Sequence, residues 1–142
     1  MATNLVFRNT DAYNRVETLA ATYAPGKPVV SLSGKPAVTV TGSGDYVISE
    51  VIPGVGTLSG IPAGGVSLRG KEVTLAFDGT WEFDKDAFGG TLPVNPAEGV
   101  KMYITAAGVL TATAGSNTVF GTVNYPQDYD KTRGFLPIKI GA

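Results

Sequence analysis

Residues 72–83 read Glu72-Val73-Thr74-Leu75-Ala76-Phe77-Asp78-Gly79-Thr80-Trp81-Glu82-Phe83, and this stretch decides the fold class. Two runs rich in β-branched and aromatic residues, EVTLAF and TWEF, flank an Asp-Gly pair. Strands send successive side chains to opposite faces, and Asp-Gly adopts the positive φ angles that a tight hairpin turn requires. The spacing predicts strands over 72–77 and 80–83 joined as a hairpin. Phe77, Trp81 and Phe83 each carry a large ring. With Tyr103 and Phe120 they are the residues expected in the core or at a subunit interface.

The same pattern continues on both sides. Upstream, 28–33 (PVVSLS) and 37–41 (AVTVT) are β-branched runs separated by Gly34-Lys35-Pro36, and 46–51 (YVISEV) alternates cleanly. Residues 53–65 (PGVGTLSGIPAGG) carry little side-chain mass and read as a glycine-rich loop, followed by a short strand at 66–68. Downstream, 87–99 reads as a loop, and 100–105 (VKMYIT) and 109–113 (VLTAT) as a second hairpin around Ala107-Gly108. Residues 118–125 (TVFGTVNY) form a strand interrupted at Gly121, the mark of a bulge. Residues 126–134 (PQDYDKTRG) are a polar loop, and 135–140 (FLPIKI) a last strand that Pro137 assigns to an edge or a bulge. The expectation is an all-β domain, a compact β-barrel or β-sandwich of about nine or ten short strands over residues 25–142. No internal repeat is present.

Residues 1–24 are the ambiguous part and read as an extended N-terminal arm. Leu5 and Phe7 alternate with polar neighbours. Over residues 11–23, Ala12, Val16, Leu19, Ala20 and Tyr23 fit a helical period, whereas Val16, Thr18, Ala20 and Thr22 fit one face of a strand. The apolar stripe is thin for a helix, which favours the strand or arm.

Composition narrows the function classes. The 142 residues include 19 Gly and 9 Pro, yet 43% are hydrophobic, which means short strands and tight turns rather than disorder. A chain of this length buries roughly 70% of its unfolded surface, enough for a core without metal or disulfide staples. Cysteine and histidine are both absent. The thiol nucleophile, the thiolate zinc site and the commonest general base near neutral pH are therefore missing. The eleven Lys and Arg are scattered and the formal net charge is −1, so no basic face for nucleic acid is expected. No apolar run approaches the roughly 20 residues of a membrane span, and residues 1–10 contain no apolar signal core. A soluble protein made in the cytoplasm is expected.

The constellations that might carry chemistry are incomplete. Gly54-Val55-Gly56-Thr57-Leu58-Ser59 has Ser where the dinucleotide fingerprint needs its third glycine, and no helix is expected after it. The Gly-Lys pairs at 26–27, 34–35 and 70–71 lack the following Ser or Thr of a phosphate-binding loop. Asp78, Glu82, Asp84 and Asp86 are the densest acidic group, but without the alternation of a calcium loop they read as a solvated rim. No catalytic residue, metal site or cofactor is expected. Tyr125 and Tyr129, amphipathic and flanking Pro126, are candidate partner contacts.

The run Gly65-Val66-Ser67-Leu68-Arg69-Gly70-Lys71-Glu72-Val73-Thr74-Leu75-Ala76-Phe77-Asp78-Gly79-Thr80-Trp81-Glu82-Phe83 resembles a segment of small tailed-phage head proteins, the capsid decoration (cement) family. Gly99-Val100-Lys101-Met102-Tyr103, Gly108-Val109-Leu110-Thr111, Gly121-Thr122-Val123 and Leu136-Pro137-Ile138-Lys139-Ile140 are similar to its later strands. The similarity runs over about residues 25–140 and rests mostly on turn glycines and alternating apolar positions. It implies a β-tulip-like domain on the outside of the virion capsid, encoded beside the major capsid protein and bound to it. It further implies a homo-oligomer, with a trimer favoured, that clamps neighbouring capsomers. Leu5 and Phe7 would anchor the arm on a capsid-protein sheet edge. The alternatives are a carbohydrate- or host-surface-binding β-module on the virion, or another head or tail subunit.

Overall fold

The computed structural model describes residues 5–7, 14–44, 48–60 and 70–141. Within them the chain is all-β, with twelve strands where the sequence pattern predicts nine or ten. A six-stranded antiparallel sheet contains β1 (Leu5–Phe7), β8 (Gly79–Phe83), β9 (Lys101–Ile104), β10 (Leu110–Thr111), β11 (Thr118–Val123) and β12 (Leu136–Ile140), in the order β1-β8-β12-β11-β9-β10. A four-stranded sheet orders β2 (Asn14–Thr18), β7 (Glu72–Ala76), β4 (Pro36–Thr39) and β3 (Pro28–Val30) as β2-β7-β4-β3. Among the described residues the remaining two strands, β5 (Ile48–Ile52) and β6 (Gly56–Gly60), pair only with each other.

The two larger sheets share one core. Trp81 and Phe83 from β8, Met102 and Ile104 from β9, Leu110 from β10, and Leu136, Ile138 and Ile140 from β12 pack with Val38, Val40 and Ala76 of the four-stranded side. The i, i+2, i+4 spacing of Leu136, Ile138 and Ile140 puts all three on one face, while Lys139 is exposed. Phe83 meets Phe120 edge to face at 5.7 Å between ring centres. Burying side chains of this size contributes about 1.5–3 kcal/mol each. The four-stranded sheet is apolar on its other face too, where Leu19, Val29, Ala37, Val73, Leu75 and Phe77 form a second cluster. The sheet is thus buried on both faces, Val38 and Ala76 toward one cluster and Ala37, Val73 and Leu75 toward the other.

The bulge expected at Gly121 is present. The register of β11 on β9 shifts between Val119 and Gly121, leaving Phe120 as the extra residue. Strict alternation would point Phe120 and Thr122 inward; the bulge instead buries Phe120 and Val123, both 1% exposed. Gly121 is required by space: a Cβ there would run into the Lys139 carbonyl oxygen and lie 2.9 Å from Ile138 Cγ2. The hairpin over 101–111 also forms, with Leu110 opposite Ile104.

Three expectations are corrected. Asp78-Gly79 does not make a hairpin: β7 lies in one sheet and β8 in the other, and the pair turns the chain through the corner between them, with Gly79 at φ 100°. The corner is held by Trp81, whose Nε1 donates to the Asp78 carbonyl at 2.8 Å. Residues 72–76 and 79–83 thus each find other partners, β2 and β4 for the first, β1 and β12 for the second. Residues 53–65 are not wholly a loop, since 56–60 form β6. Gly54 (φ 80°) and Gly56 (φ 110°) supply the left-handed turn that returns the chain along β5. Pro137 lies on an inner strand, between β8 and β11. Its carbonyl accepts from Asn124 N–H at 3.1 Å, so the side that lacks an N–H faces β11 where its ladder has ended after Val123.

At the N-terminal end, residues 14–18 are a strand on β7, with Arg15 opposite Leu75 and Glu17 opposite Val73. β1 pairs with the chain's own β8, Leu5 opposite Trp81 and Phe7 opposite Thr80. The strand expected at 66–68 and the Gly65–Arg69 part of the family-like run lie outside the described residues.

Candidate functional site

Alternation along β8 turns Thr80 and Glu82 away from the core, and the 124–135 segment is tied to them. Thr80 is fully buried, and its Oγ1 accepts from Asn124 Nδ2 at 2.8 Å. Asp128, at φ 60°, lets the chain turn so that Tyr129 N–H reaches the Pro126 carbonyl at 3.1 Å. Tyr129 then donates its hydroxyl to Glu82 Oε2 at 2.5 Å, and Arg133 Nη1 approaches the same oxygen at 3.1 Å. Burial, and then the Glu82 carboxylate, which accepts from the hydroxyl and repels its anion, push the Tyr129 pKa well above the usual tyrosine range. Asp130 accepts from Thr132 N–H (2.9 Å) and Oγ1 (2.6 Å), which holds its carboxyl below the usual range.

Tyr125, one of the two tyrosines put forward as partner contacts, packs against the core, and burial raises its pKa. Its hydroxyl donates to the Pro96 carbonyl at 2.8 Å, which ties loop 126–134 to loop 89–100. The Tyr125 and Tyr129 rings meet at 5.9 Å. Lys131 Nζ sits 4.2 Å from the centre of the Tyr125 ring, and the Arg133 guanidinium lies over Tyr129 (5.8 Å) and Phe135 (5.4 Å). The structure therefore brings the two tyrosines together, but with both hydroxyls turned to the protein. What this face presents to solvent is Lys131, Arg133 and Phe135, with Gln127, Asp128, Asp130 and Thr132 beside them.

Of the residues assigned to core or interface, Trp81 (1%), Phe83 (2%), Phe120 (1%) and Phe77 (8%) are buried, and Tyr103 is half-buried. With its ring enclosed, Trp81 offers no face for a sugar to stack on. The side chains of Leu5 and Phe7 lie outside the described residues. Sequence reasoning did not single out Arg15 and Glu17. Glu17 is 8% exposed, pairs with Arg15, and accepts from Leu32 N–H at 2.8 Å. The Arg15 guanidinium lies over Phe77 at 5.1 Å. Charged residues two apart on a strand share a face, and only the fold reveals that this face is a buried one.

A cleft of about 170 Å³ is lined by Lys27, Glu82, Asp84 and Phe135, among others. Its carboxylates are engaged in structure. Glu82 holds Tyr129 and Arg133, and Asp84 Oδ1 accepts from Asp86 and Ala87 N–H, capping a 3-10 turn at Lys85–Phe88. Among the described residues no group of three or more His, Cys, Asp or Glu is placed to hold a metal ion. No helix there is long and apolar enough to cross a membrane.

The strongest departure from a closed surface is the β5–β6 ribbon. Every described side chain in it is exposed, including Val51 (74%), Val55 (69%) and Leu58 (53%). Across the ribbon Ser49 and Ser59 hydroxyls meet at 3.0 Å. Comparison with protein-family models, with curated proteins and with solved structures finds no match to this chain.

Proposed function

We propose that the protein is a structural virion subunit that binds the outer surface of a tailed-phage capsid and clamps neighbouring capsomers. The observation that carries this reading is the likeness of residues 65–83, and of the later strand-and-turn segments, to the decoration family. The engaged carboxylates support it: Glu82, Asp84 and Glu17 each bind groups of their own chain. These three carboxylates are engaged within their own chain, and a ribbon with exposed Val51, Val55 and Leu58 is left for contact.

The mechanism is mechanical. A subunit that buries about 1,200–2,000 Å² against its partner forms a specific contact. Joining copies, with a trimer favoured, converts each further contact into an intramolecular one and multiplies weak affinities by effective concentration. The bound oligomer raises the work needed to separate capsomers. Its partner is the major capsid protein, and its place is the exterior of the virion.

The test is co-sedimentation with capsids assembled from the major capsid protein encoded beside this chain. Binding to expanded capsids and not to unexpanded ones is the expected result. Equal absence of binding to both, with glycan binding by the isolated protein, would replace this reading by that of a host-surface module.

A further inference from the structure

We infer that a neutral saccharide binds in the double cleft around Tyr23, between β3 and the turn that joins β9 to β10. The inference goes beyond the capsid reading and does not depend on it. Two cavities adjoin there, of about 340 Å³ and about 260 Å³, and Tyr23, Pro28, Ala107 and Gly108 line both. The larger alone falls within the roughly 300–1,000 Å³ of small-molecule sites. Val29, Val30 and Ile104 supply its apolar lining, and Ser116, Asn117 and Thr118 bring hydroxyls and an amide. None of its lining residues is charged. The smaller cavity adds one charge of each sign, Lys27 and Asp86, both exposed. Neither is ion-paired among the described residues.

Two side chains in the cleft are held in place with polar atoms to spare. Tyr23 is half-buried and packs against the second apolar cluster. Its N–H donates to Ser43 Oγ at 2.8 Å and its carbonyl accepts from Ser43 N–H at 2.9 Å. Among the described residues its hydroxyl has no hydrogen-bond partner. Asn117 Nδ2 donates to the Thr113 carbonyl at 3.0 Å, which fixes the amide and leaves its oxygen to accept.

This lining selects the ligand class. A charged ligand would lose water in the larger cavity and find no counter-charge there. A wholly apolar one would cover the hydroxyls of Tyr23, Ser116 and Thr118 without pairing them. An extended peptide would have to add to β3, an edge strand of its sheet. That edge is blunted. Thr39 N–H reaches the Lys27 carbonyl and Ser31 N–H the Lys35 carbonyl, so by alternation Val29 faces β4 while Pro28 and Val30 face outward. Proline has no N–H, and β3 is left with one outward donor, that of Val30. A saccharide ring meets every term: its C–H face suits the aromatic ring and the apolar lining, and its hydroxyls both donate and accept.

The test titrates the full chain, isotope-labelled for backbone-amide NMR, with glucose, galactose, mannose, N-acetylglucosamine, maltose, lactose and cellobiose. At least one of these should shift amides of residues 22–30, 104–109 and 116–118 and leave the distant β5–β6 ribbon unmoved. Ala107 is an exposed turn residue that lines both cavities, so Ala107→Arg should abolish the shifts without changing the melting of the fold. Tyr23→Phe keeps the ring and removes the hydroxyl; it should weaken binding about 2–10-fold. No response to any of the seven sugars, shifts centred elsewhere, or binding indifferent to both substitutions would overturn the inference. So would a neutral valine- and serine-containing peptide that moves the same amides when the sugars do not, which would assign the cleft to a peptide. Capsid binding without sugar binding would sink this inference alone; sugar binding by a chain that binds no capsid would sink the capsid reading alone.

Discussion

At Gly121 a single missing carbon decides whether two strands can close. The Lys139 carbonyl and Ile138 methyl occupy the space where a side chain would begin, so Gly121→Ala must push β11 from β12 and unseat Phe120. Overpacking of this kind costs about 1–3 kcal/mol, and the expected result is a melting temperature lower by roughly 4–10 °C, read by circular dichroism. Tyr129 gives a prediction in pH. Its hydroxyl is held protonated in the fold, so its stabilisation is present below the unfolded tyrosine pKa of about 10 and declines as pH rises from there toward the folded value. Tyr129→Phe should remove part of the alkaline loss of stability, measured by denaturant melts between neutral pH and about pH 11. It should also remove from the absorbance titration a tyrosine that titrates above the usual range. Unchanged curves would mean that Tyr129 does not donate to Glu82.

Among the elements, the four-stranded sheet depends on a buried charge. Glu17 gathers Arg15 and the Leu32 N–H, and so lays the 31–35 turn over the second apolar cluster. Glu17→Gln leaves Arg15 beside a neutral amide on a part-buried face, an expected loss of about 1–3 kcal/mol in urea unfolding. How far such elements were legible follows from what sets them. Strand positions were, because alternation and β-branching are local: EVTLA, TWEF, KMYI and LPIKI all lie within the expected runs. The Gly121 bulge was legible too, since a glycine inside a strand leaves a local trace. Pairing was not. Asp78-Gly79 permits a hairpin turn as well as a corner, and the choice between them is made by partners distant in sequence, β2, β4, β1 and β12. A strand proline lacks a donor, which points Pro137 to an edge or a bulge, yet an inner strand tolerates it where the neighbouring ladder has already stopped. Of the candidate site, Tyr125 and Tyr129 were legible as amphipathic loop residues. Their inward hydroxyls were not, for the acceptors at Pro96 and Glu82 are 29 and 47 residues away.

For the molecule as a whole, sandwich, loops and ribbon divide the work. The two facing sheets make a body around one shared core. The Tyr125–Phe135 region binds loops to that body through hydroxyl, carboxylate and cation–ring contacts. The ribbon remains as unsatisfied apolar surface, suited to assembly. On the proposed reading the protein acts as a clamp, adding contacts between capsomers that must otherwise hold alone. The most direct measurement is the thermal rupture of expanded capsids, with and without the bound protein, followed by light scattering. Capsids carrying the protein should rupture at a higher temperature than bare ones, with the gain saturating as sites fill. Capsids that bind it fully and rupture at the same temperature would contradict the clamp.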